Sequence, residues 1–175
     1  YKNVKDVSVT AQFKVVKNDQ SSFLFEDEEE QVYFLAWTTT PWTLPSNCAL
    51  AVGEKIDYVK VKTFNQYTHE PVSVILAKEL VNSLFSDKAK ELELEDYKPG
   101  DKQIPFAPGK SLKGTSFLGL YYEQLMPYVQ PDGDAFRVIP GDFVSTEEGT
   151  GIVHTASVFG ADDHRVCKEN DVPSI

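Results

Sequence analysis

A period of two runs through the segment Val7-Ser8-Val9-Thr10-Ala11-Gln12-Phe13-Lys14-Val15, where apolar and polar residues alternate. Because successive side chains of a strand point to opposite faces of its sheet, this pattern predicts a β-strand with one buried face. Other strand-like segments, most of them bounded by Gly, Pro, Asn or Asp, predict six further strands. They cover residues 32–37, 49–52, 58–64, 72–76, 135–139 and 151–154.

Helical patterns are fewer and shorter than the strand patterns. Apolar residues recur at helical spacing within residues 77–85, and residues 161–170 form a short polar stretch with Val166 and Cys167 on its inward side. Short strands of uneven spacing favour a mainly β fold, a closed or partly closed β-barrel with peripheral helices. Residues 91–119 are rich in Pro and Gly and are predicted to form a long irregular loop on the rim of the barrel.

The composition is typical of one compact domain: 175 residues, 41% hydrophobic and 25% charged. We expect residues 1–175 to form a single domain, monomeric in isolation and excised from a larger protein. No stretch approaches the roughly 20 apolar residues of a membrane-spanning helix, and the first four residues lack the basic-then-apolar order of a signal peptide. Cys48 and Cys167 show no Cys-x-x-Cys spacing, so reduced thiols and a cytoplasmic location without membrane contact are expected.

The formal net charge is -10, partly because of the acidic run at residues 26–30. A stand-alone nucleic-acid binder usually carries a basic surplus that displaces phosphate counterions. The charge therefore argues against autonomous RNA binding. It is compatible with contact to one RNA end that a neighbouring domain presents.

The most unusual segment is Ala36-Trp37-Thr38-Thr39-Thr40-Pro41-Trp42-Thr43-Leu44-Pro45-Ser46-Asn47, in which a strand runs into hydroxyls, two prolines and two indoles. Pro41 and Pro45 fix their own φ and restrict the residues before them, so the backbone is stiff and can hold hydroxyls and amides toward one spot. This segment, called the threonine ledge below, can grip a polar ligand. The alternative is that the segment is purely structural, because consecutive threonines are good strand formers and tryptophans fill cores.

A second segment joins a glycine turn to a histidine and two carboxylates. Gly149-Thr150-Gly151 leads into a short strand that ends at His154, and a loop then reaches Asp162 and Asp163 where a helix is predicted to start. A carboxylate in a first helical turn is favoured by the helix dipole and the free amides. This effect explains the presence of one aspartate. We expect the other aspartate to face a cavity, where it can pair with a ligand cation.

Other kinds of chemistry find little support in these residues. His154 and His164 with the two aspartates match no common metal-binding spacing, so no metal is expected. The Gly149-Thr150-Gly151 turn lacks the further glycines and the lysine of phosphate-binding loops. No serine lies in a Gly-x-Ser-x-Gly elbow, and neither cysteine has an evident base, so covalent catalysis is not indicated.

Together, the threonine ledge and the segment from Gly149 to Asp163 resemble the inserted editing domain of isoleucyl-tRNA synthetases. Thr40 stands where the valyl and leucyl relatives have an arginine, which points to the isoleucine enzyme. Residues 135–139 and 165–167 look most like the eukaryotic cytoplasmic type. The sequence departs from the family pattern in having Ser157, Ala161 and His164 where proline, glutamate and tyrosine are usual.

The resemblance implies proofreading, the hydrolysis of valine from mischarged tRNA(Ile). A pocket for isoleucine rejects valine by only ~1–3 kcal/mol, a limit for which these synthetases are the standard example, so a second, smaller sieve is needed. Its implied partners are the 3′ end of tRNA(Ile) carrying valine, valyl-adenylate and the remainder of the parent synthetase. No cofactor is implied for editing, since ATP and Mg belong to a synthetic domain whose signature motifs are absent from this chain.

The resemblance also implies roles for individual residues. Asp163 would bind the α-ammonium of the valine, His154 would limit side-chain room, and Trp42 would support the ledge from behind. The ester, the terminal adenosine and the attacking water would be held by four residues of the ledge, Thr38, Thr39, Thr40 and Asn47. The alternative is a non-catalytic β-barrel module that merely holds a tRNA end or a partner chain.

Overall fold

The computed structural model describes residues 5–175, so the first four residues, where a signal-peptide order was sought, lie outside it. All seven predicted strands are found, within two residues of their predicted limits, and the described chain contains one more. The strands are Val9–Lys14 (β1), Val32–Thr38 (β2), Ala49–Val52 (β3), Asp57–Phe64 (β4), Pro71–Ala77 (β5), Ala107–Lys113 (β6), Arg137–Pro140 (β7) and Ile152–Thr155 (β8).

Strand β2 lies at the centre of the sheet. β1 pairs antiparallel with β2 along its whole length, while β5 pairs parallel with the first half of β2 and β8 pairs parallel with its end. β8 continues through β3 to β7, and β5 continues through β4 to β6. Strands that bury one face alternate apolar and polar residues, and strands that bury both faces are apolar throughout. Both patterns occur in the sequence of this sheet.

The sheet curls so that its β1 edge comes close to its β7 edge. Residues 120–123 lie between β1 and β7, with isolated β-bridges that join Tyr122 to Val15 and Tyr121 to Arg137. The Val16 amide donates to the Tyr121 carbonyl at 2.9 Å, and the Val138 amide donates to the Leu120 carbonyl at 2.9 Å. This irregular segment, called the closing segment below, completes a partly closed barrel and confirms the mainly β fold.

The additional strand, β6, falls within the predicted irregular loop of residues 91–119. It pairs with β4 at the edge of the sheet and contains Pro108 and Gly109. Pro cannot donate a ladder hydrogen bond, so a segment that contains Pro and Gly resembles a loop in the sequence. An edge strand tolerates Pro because one side of its backbone has no partner strand. The prediction of a wholly irregular excursion was therefore wrong for residues 107–113.

The interior of the barrel is the main hydrophobic core, with Phe13, Phe34, Leu50, Tyr58, Phe117 and Ile152 among its fully or almost fully buried members. Each such side chain contributes roughly 1.5–3 kcal/mol by its removal from water. The helix Ala161–Glu169 (α2) matches its prediction, whereas the predicted helix of residues 77–85 is a 3-10 turn, Lys78–Leu80, followed by the short helix Val81–Leu84 (α1). No helix within residues 5–175 is long and apolar enough to cross a membrane.

Helix α2 packs on the outside of β3 and β7 through a smaller cluster. Val166 and Cys167 are buried there, as the sequence predicts, together with Cys48 and Ile139. The two thiols are free, and their Sγ atoms lie 3.6 Å apart. This contact holds α2 against the start of β3, so the helix has a defined position relative to the barrel.

Candidate functional site

The two unusual sequence segments meet at one end of the barrel. Thr38 ends β2 and His154 lies in β8, and these strands run parallel with Trp37 opposite Val153. Gly149 and Gly151 both have φ of 75° in the turn that enters β8. A Cβ at Gly151 would lie 2.5 Å from the Cβ of Ala77, so glycine is required for this approach. The glycine turn therefore places His154 beside the ledge.

Hydroxyl groups of the threonine ledge bond to one another. The Thr40 amide donates to Thr38 Oγ1 at 3.0 Å, and the hydroxyl oxygens of Thr38 and Thr40 lie 3.2 Å apart. A 3-10 helix, Pro41–Ser46, follows with Pro41 at its start, and Thr43 Oγ1 donates to the Thr40 carbonyl at 2.8 Å. Thr38 is buried while Thr39 and Thr40 are exposed. The ledge is thus rigid from within and open to solvent at two hydroxyl-bearing residues.

His154 is buried, with 7% of its surface exposed, and both of its ring nitrogens are in hydrogen bonds. Nε2 lies 2.9 Å from Thr43 Oγ1, and Nδ1 lies 2.8 Å from the Asn47 amide nitrogen. Burial lowers the pKa of His154 to about 4, because the charged form is desolvated. The imidazole is therefore neutral at pH 7 and links the second segment directly to the ledge.

Asn47 supports His154 from the interior and does not line an open surface. Its exposed fraction is 3%, and its amide nitrogen also donates to the Ala49 carbonyl at 3.0 Å. Its carbonyl oxygen accepts from the Tyr122 hydroxyl at 2.6 Å. Every polar atom of the Asn47 side chain is bonded inside the protein, so the expected contact with the ester or the adenosine stays a prediction that would need one of these bonds to break.

Asp163 lies in the first turn of α2, as predicted, and is half-buried. Its Oδ2 accepts a hydrogen bond from the Ala156 amide at 3.0 Å, and its carboxyl carbon lies close to Gly160. Burial raises the pKa of Asp163, and the neighbouring Asp162 adds to this rise. Asp162 itself is exposed and 3.4 Å from Arg165. Asp163 thus has the poorly compensated carboxylate that a ligand cation would stabilise.

Trp42 does not support the ledge from behind. Its side chain is 64% exposed in the 3-10 helix that follows the threonines. Thr43 and Leu44 supply the buried side of this short helix instead. Sequence reasoning missed Thr43 and Tyr122 as partners of His154 and Asn47, because the two members of each pair lie 111 and 75 residues apart along the chain.

Two cavities have linings that do not include His154 or Asp163. A cavity of about 780 Å³ is lined by Val9, Thr10, Phe64, Tyr67 and Phe85 among others, and a second of about 560 Å³ lies beside Glu30 and Lys62. Within residues 5–175, no group of three His, Cys, Asp or Glu side chains is placed to hold a metal ion. His164 is exposed on α2 whereas His154 is buried.

Comparison with known proteins covers the whole chain. The chain is 61% identical over 175 residues to the isoleucine–tRNA ligase of Cytophaga hutchinsonii and 53% identical over 186 residues to that of Bacteroides thetaiotaomicron. All of the chain is matched in both cases, and it spans 15% and 16% of the length of these proteins. No protein-family model matches the chain. Both relatives are bacterial, so the expected eukaryotic cytoplasmic type has no support from them.

The fold has a counterpart among solved structures. The crystal structure of the editing domain of the cytosolic leucyl-tRNA synthetase of P. knowlesi superposes with a TM-score of 0.69 at 15% identity, covering 94% of this chain and 62% of that one. At this identity the likeness concerns the fold alone. The chain is therefore homologous over its full length to one segment of the isoleucine–tRNA ligases, and it has the fold of a class I synthetase editing domain.

Proposed function

We propose that this chain is the editing domain of an isoleucyl-tRNA synthetase and hydrolyses the ester that joins misattached valine to the 3′ end of tRNA(Ile). Valyl-adenylate, a mixed anhydride that carries the same amino acid, is a second substrate, and the rest of the synthetase, in the cytoplasm, presents the tRNA end. The observation that carries this proposal is the hydrogen bond between Thr43 and His154, which joins the ledge to the segment that bears Asp163.

Asp163 binds the α-ammonium group of the valine. Its carboxylate is held by the Ala156 amide, which fixes the side chain but leaves the second oxygen for a ligand. Burial makes the isolated carboxylate costly, and an ammonium group offsets that cost when it binds. A substrate amine therefore gains a charged hydrogen bond at a place prepared for it.

The ledge holds the ester and the attacking water. Thr39 and Thr40 present hydroxyls at the surface, and Thr38 fixes the backbone of Thr40 through its amide. Water attacks the ester carbonyl, the bond to the ribose oxygen breaks, and that oxygen leaves with a proton while valine departs as the acid. Alignment of water and ester lowers the barrier without a cofactor.

His154 sets the size of the site and does not act as the base. Its Nδ1 faces a donor and its Nε2 is engaged with Thr43, so no lone pair is free to accept a proton from water. A ring fixed in this way can exclude the additional methylene of isoleucine. One methylene is worth ~1–3 kcal/mol, which corresponds to a preference of about 10- to 200-fold for valine.

The test is the release of amino acid from Val-tRNA(Ile) and Ile-tRNA(Ile). The 175-residue chain is assayed alone and in place of its matching segment in the C. hutchinsonii ligase, where the neighbouring domains are present. We expect hydrolysis of the valyl ester in preference to the isoleucyl ester. If the chain binds valyl-tRNA without releasing valine in either setting, it is a binding module and the proposal is wrong.

A matched pair of variants tests the ammonium contact. Asp163→Asn keeps an oxygen for the Ala156 amide but removes the charge, and loss of a charged hydrogen bond of about 1.5–3 kcal/mol predicts a roughly 10- to 150-fold fall in kcat/KM. Asp162→Asn alters the adjacent, exposed carboxylate and should leave kcat/KM unchanged. Equal effects of the two variants would remove Asp163 from the role of ammonium ligand.

A further inference from the structure

A directed chain of hydrogen bonds runs from the closing segment to the threonine ledge. The Tyr122 hydroxyl donates to Asn47 Oδ1 at 2.6 Å, and Asn47 Nδ2 lies 2.8 Å from His154 Nδ1. His154 Nε2 lies 2.9 Å from Thr43 Oγ1, which in turn donates to the Thr40 carbonyl at 2.8 Å. The four side chains of this series, Tyr122, Asn47, His154 and Thr43, are buried, so each hydrogen has a defined place.

The orientation of the Asn47 amide follows from a backbone carbonyl. The amide atom that contacts His154 also lies 3.0 Å from the Ala49 carbonyl, which only accepts hydrogen bonds. That atom is therefore the NH₂ nitrogen, and it donates to His154 as well. His154 Nδ1 must carry a lone pair, which leaves the proton of the neutral ring on Nε2.

Tyr122 holds the opposite side of the same amide. Its hydroxyl satisfies Asn47 Oδ1, which would otherwise be a buried acceptor without a donor. Its ring is 2% exposed and packs edge-to-face with Phe13 at 5.3 Å and with Phe136 at 6.1 Å. Burial raises the pKa of Tyr122 well above its ordinary value, so the hydroxyl keeps its proton. The residue is a fixed donor.

We propose that Tyr122 is a positioning residue which acts through Asn47 to keep His154 in the tautomer with its proton on Nε2. In this tautomer the ring donates to Thr43 and is fixed against the ledge at both nitrogens. In the other tautomer Nδ1–H would oppose the Asn47 NH₂ group, and Nε2 would need the Thr43 hydroxyl that the Thr40 carbonyl now receives. The consequence for selectivity between valine and isoleucine rests on the proposed function.

The first experiment observes the imidazole directly. The 175-residue chain is labelled with ¹⁵N-histidine, and the nitrogen shifts of His154 at pH 7 report which nitrogen carries the proton. We expect a single Nε2–H tautomer in the wild-type protein. In Tyr122→Phe, the Asn47 oxygen lacks its donor and only the Ala49 carbonyl still holds the amide nitrogen toward Nδ1, so a minor population of the second tautomer is expected beside Nε2–H. A wild-type Nδ1–H signal, or unchanged His154 shifts in the variant, would overturn the proposal.

A neighbouring tyrosine supplies the control. The Tyr121 hydroxyl donates to the exposed Asp134 at 2.7 Å and has no contact with the chain of hydrogen bonds. Tyr121→Phe removes the same atom from the same segment and should leave the His154 signals as they are. If both variants change the His154 tautomer equally, the effect belongs to the segment as a whole and Tyr122 has no specific role.

The second experiment measures discrimination with the two esters. A net hydrogen-bond contribution of about 0.5–1.5 kcal/mol predicts that Tyr122→Phe narrows the valine-to-isoleucine ratio of kcat/KM about 2- to 10-fold. A changed tautomer with an unchanged ratio would contradict the link from tautomer to selectivity. If the wild-type protein hydrolyses neither ester, the proposed function fails while the spectroscopic result for Tyr122 still stands.

Discussion

The threonine ledge follows β2 and the segment from Ala156 to Asp163 follows β8, two strands that pair in parallel, but the two segments differ in how their polar groups are satisfied. In the ledge, the hydroxyls of Thr38 and Thr43 and the amide of Asn47 bond to neighbouring protein groups. In the second segment the Asp163 carboxylate has one hydrogen bond, to the Ala156 amide. The polar groups of the ledge hold one another in a fixed geometry, and the Asp163 carboxylate of the second segment keeps one oxygen available to a ligand.

The two titratable groups of the site show the same difference. Burial lowers the pKa of His154 and raises the pKa of Asp163, because it disfavours the charged form of each. His154 is neutral at pH 7 and its ring nitrogens are bonded. In the proposed function Asp163 is charged when it binds an ammonium group, and the ligand offsets the cost of that buried charge. Burial thus keeps His154 neutral within the structure, and it makes the charged form of Asp163 costly without a cation.

Acidification should cause the largest change in the free energy of unfolding, because it protonates His154 and disrupts its hydrogen bonds to the ledge. The pKa of His154 is about 4 in the folded protein and 6.5 in the unfolded chain, so the unfolded state binds more protons between these values. Stability from this group is present above pH 6.5 and is lost as the pH falls toward 4, by about 3 kcal/mol in all. Urea unfolding of the wild-type protein and of His154→Gln, measured from pH 7 to pH 4, gives the difference, which should narrow on acidification. A difference that is constant with pH would contradict the prediction.

Removal of one hydroxyl from the ledge should have the next largest effect. Thr43→Val keeps the shape of the side chain but leaves the buried His154 Nε2–H without an acceptor, at a cost of about 2 kcal/mol in the free energy of unfolding. Thr39→Val is the matched control, since Thr39 is exposed, and a change within about 0.5 kcal/mol is expected there. Equal losses in urea unfolding would mean that the ledge is not held through His154.

The second segment should respond least, and with the opposite sign. Ser157 is buried, and its Oγ has no hydrogen-bond partner among residues 5–175. Ser157→Ala removes an unsatisfied hydroxyl, so the free energy of unfolding should be unchanged or rise by up to about 1 kcal/mol. The same measurement applies. A loss of stability comparable to that of Thr43→Val would show that the Ser157 hydroxyl is bonded within the protein as the ledge hydroxyls are. The difference between the two segments would then not exist.

The strands of the barrel could be predicted because their signal is local. Residues 49–52 were predicted as a strand and form one with the same limits, since a short apolar run between polar residues suits a strand buried on both faces. β6 escaped prediction because Pro108 and Gly109 imitate a loop, and only its position at the sheet edge makes them acceptable. Edge position is a property of the assembled sheet.

The residues of the site were predicted less evenly than the strands. The position of Asp163 in the first turn of a helix follows from local chain signals, and the structure places it there. The exposure of Trp42 and the burial of Asn47 depend on which way a proline-containing turn leaves the sheet, which no local pattern encodes. Thr43 and Tyr122 were missed because their partners lie 111 and 75 residues away along the chain.

The parallel pairing of β2 with β8 also governs when the site comes into existence. Contacts between residues so distant in sequence form only after a long loop has closed, and they slow folding relative to local contacts. A chain emerging from the ribosome exposes the ledge long before His154 has been synthesised, so the ledge must wait without its partner. The contact between Thr43 and His154 therefore needs 111 further residues of chain after Thr43, and a chain that stops before His154 lacks it.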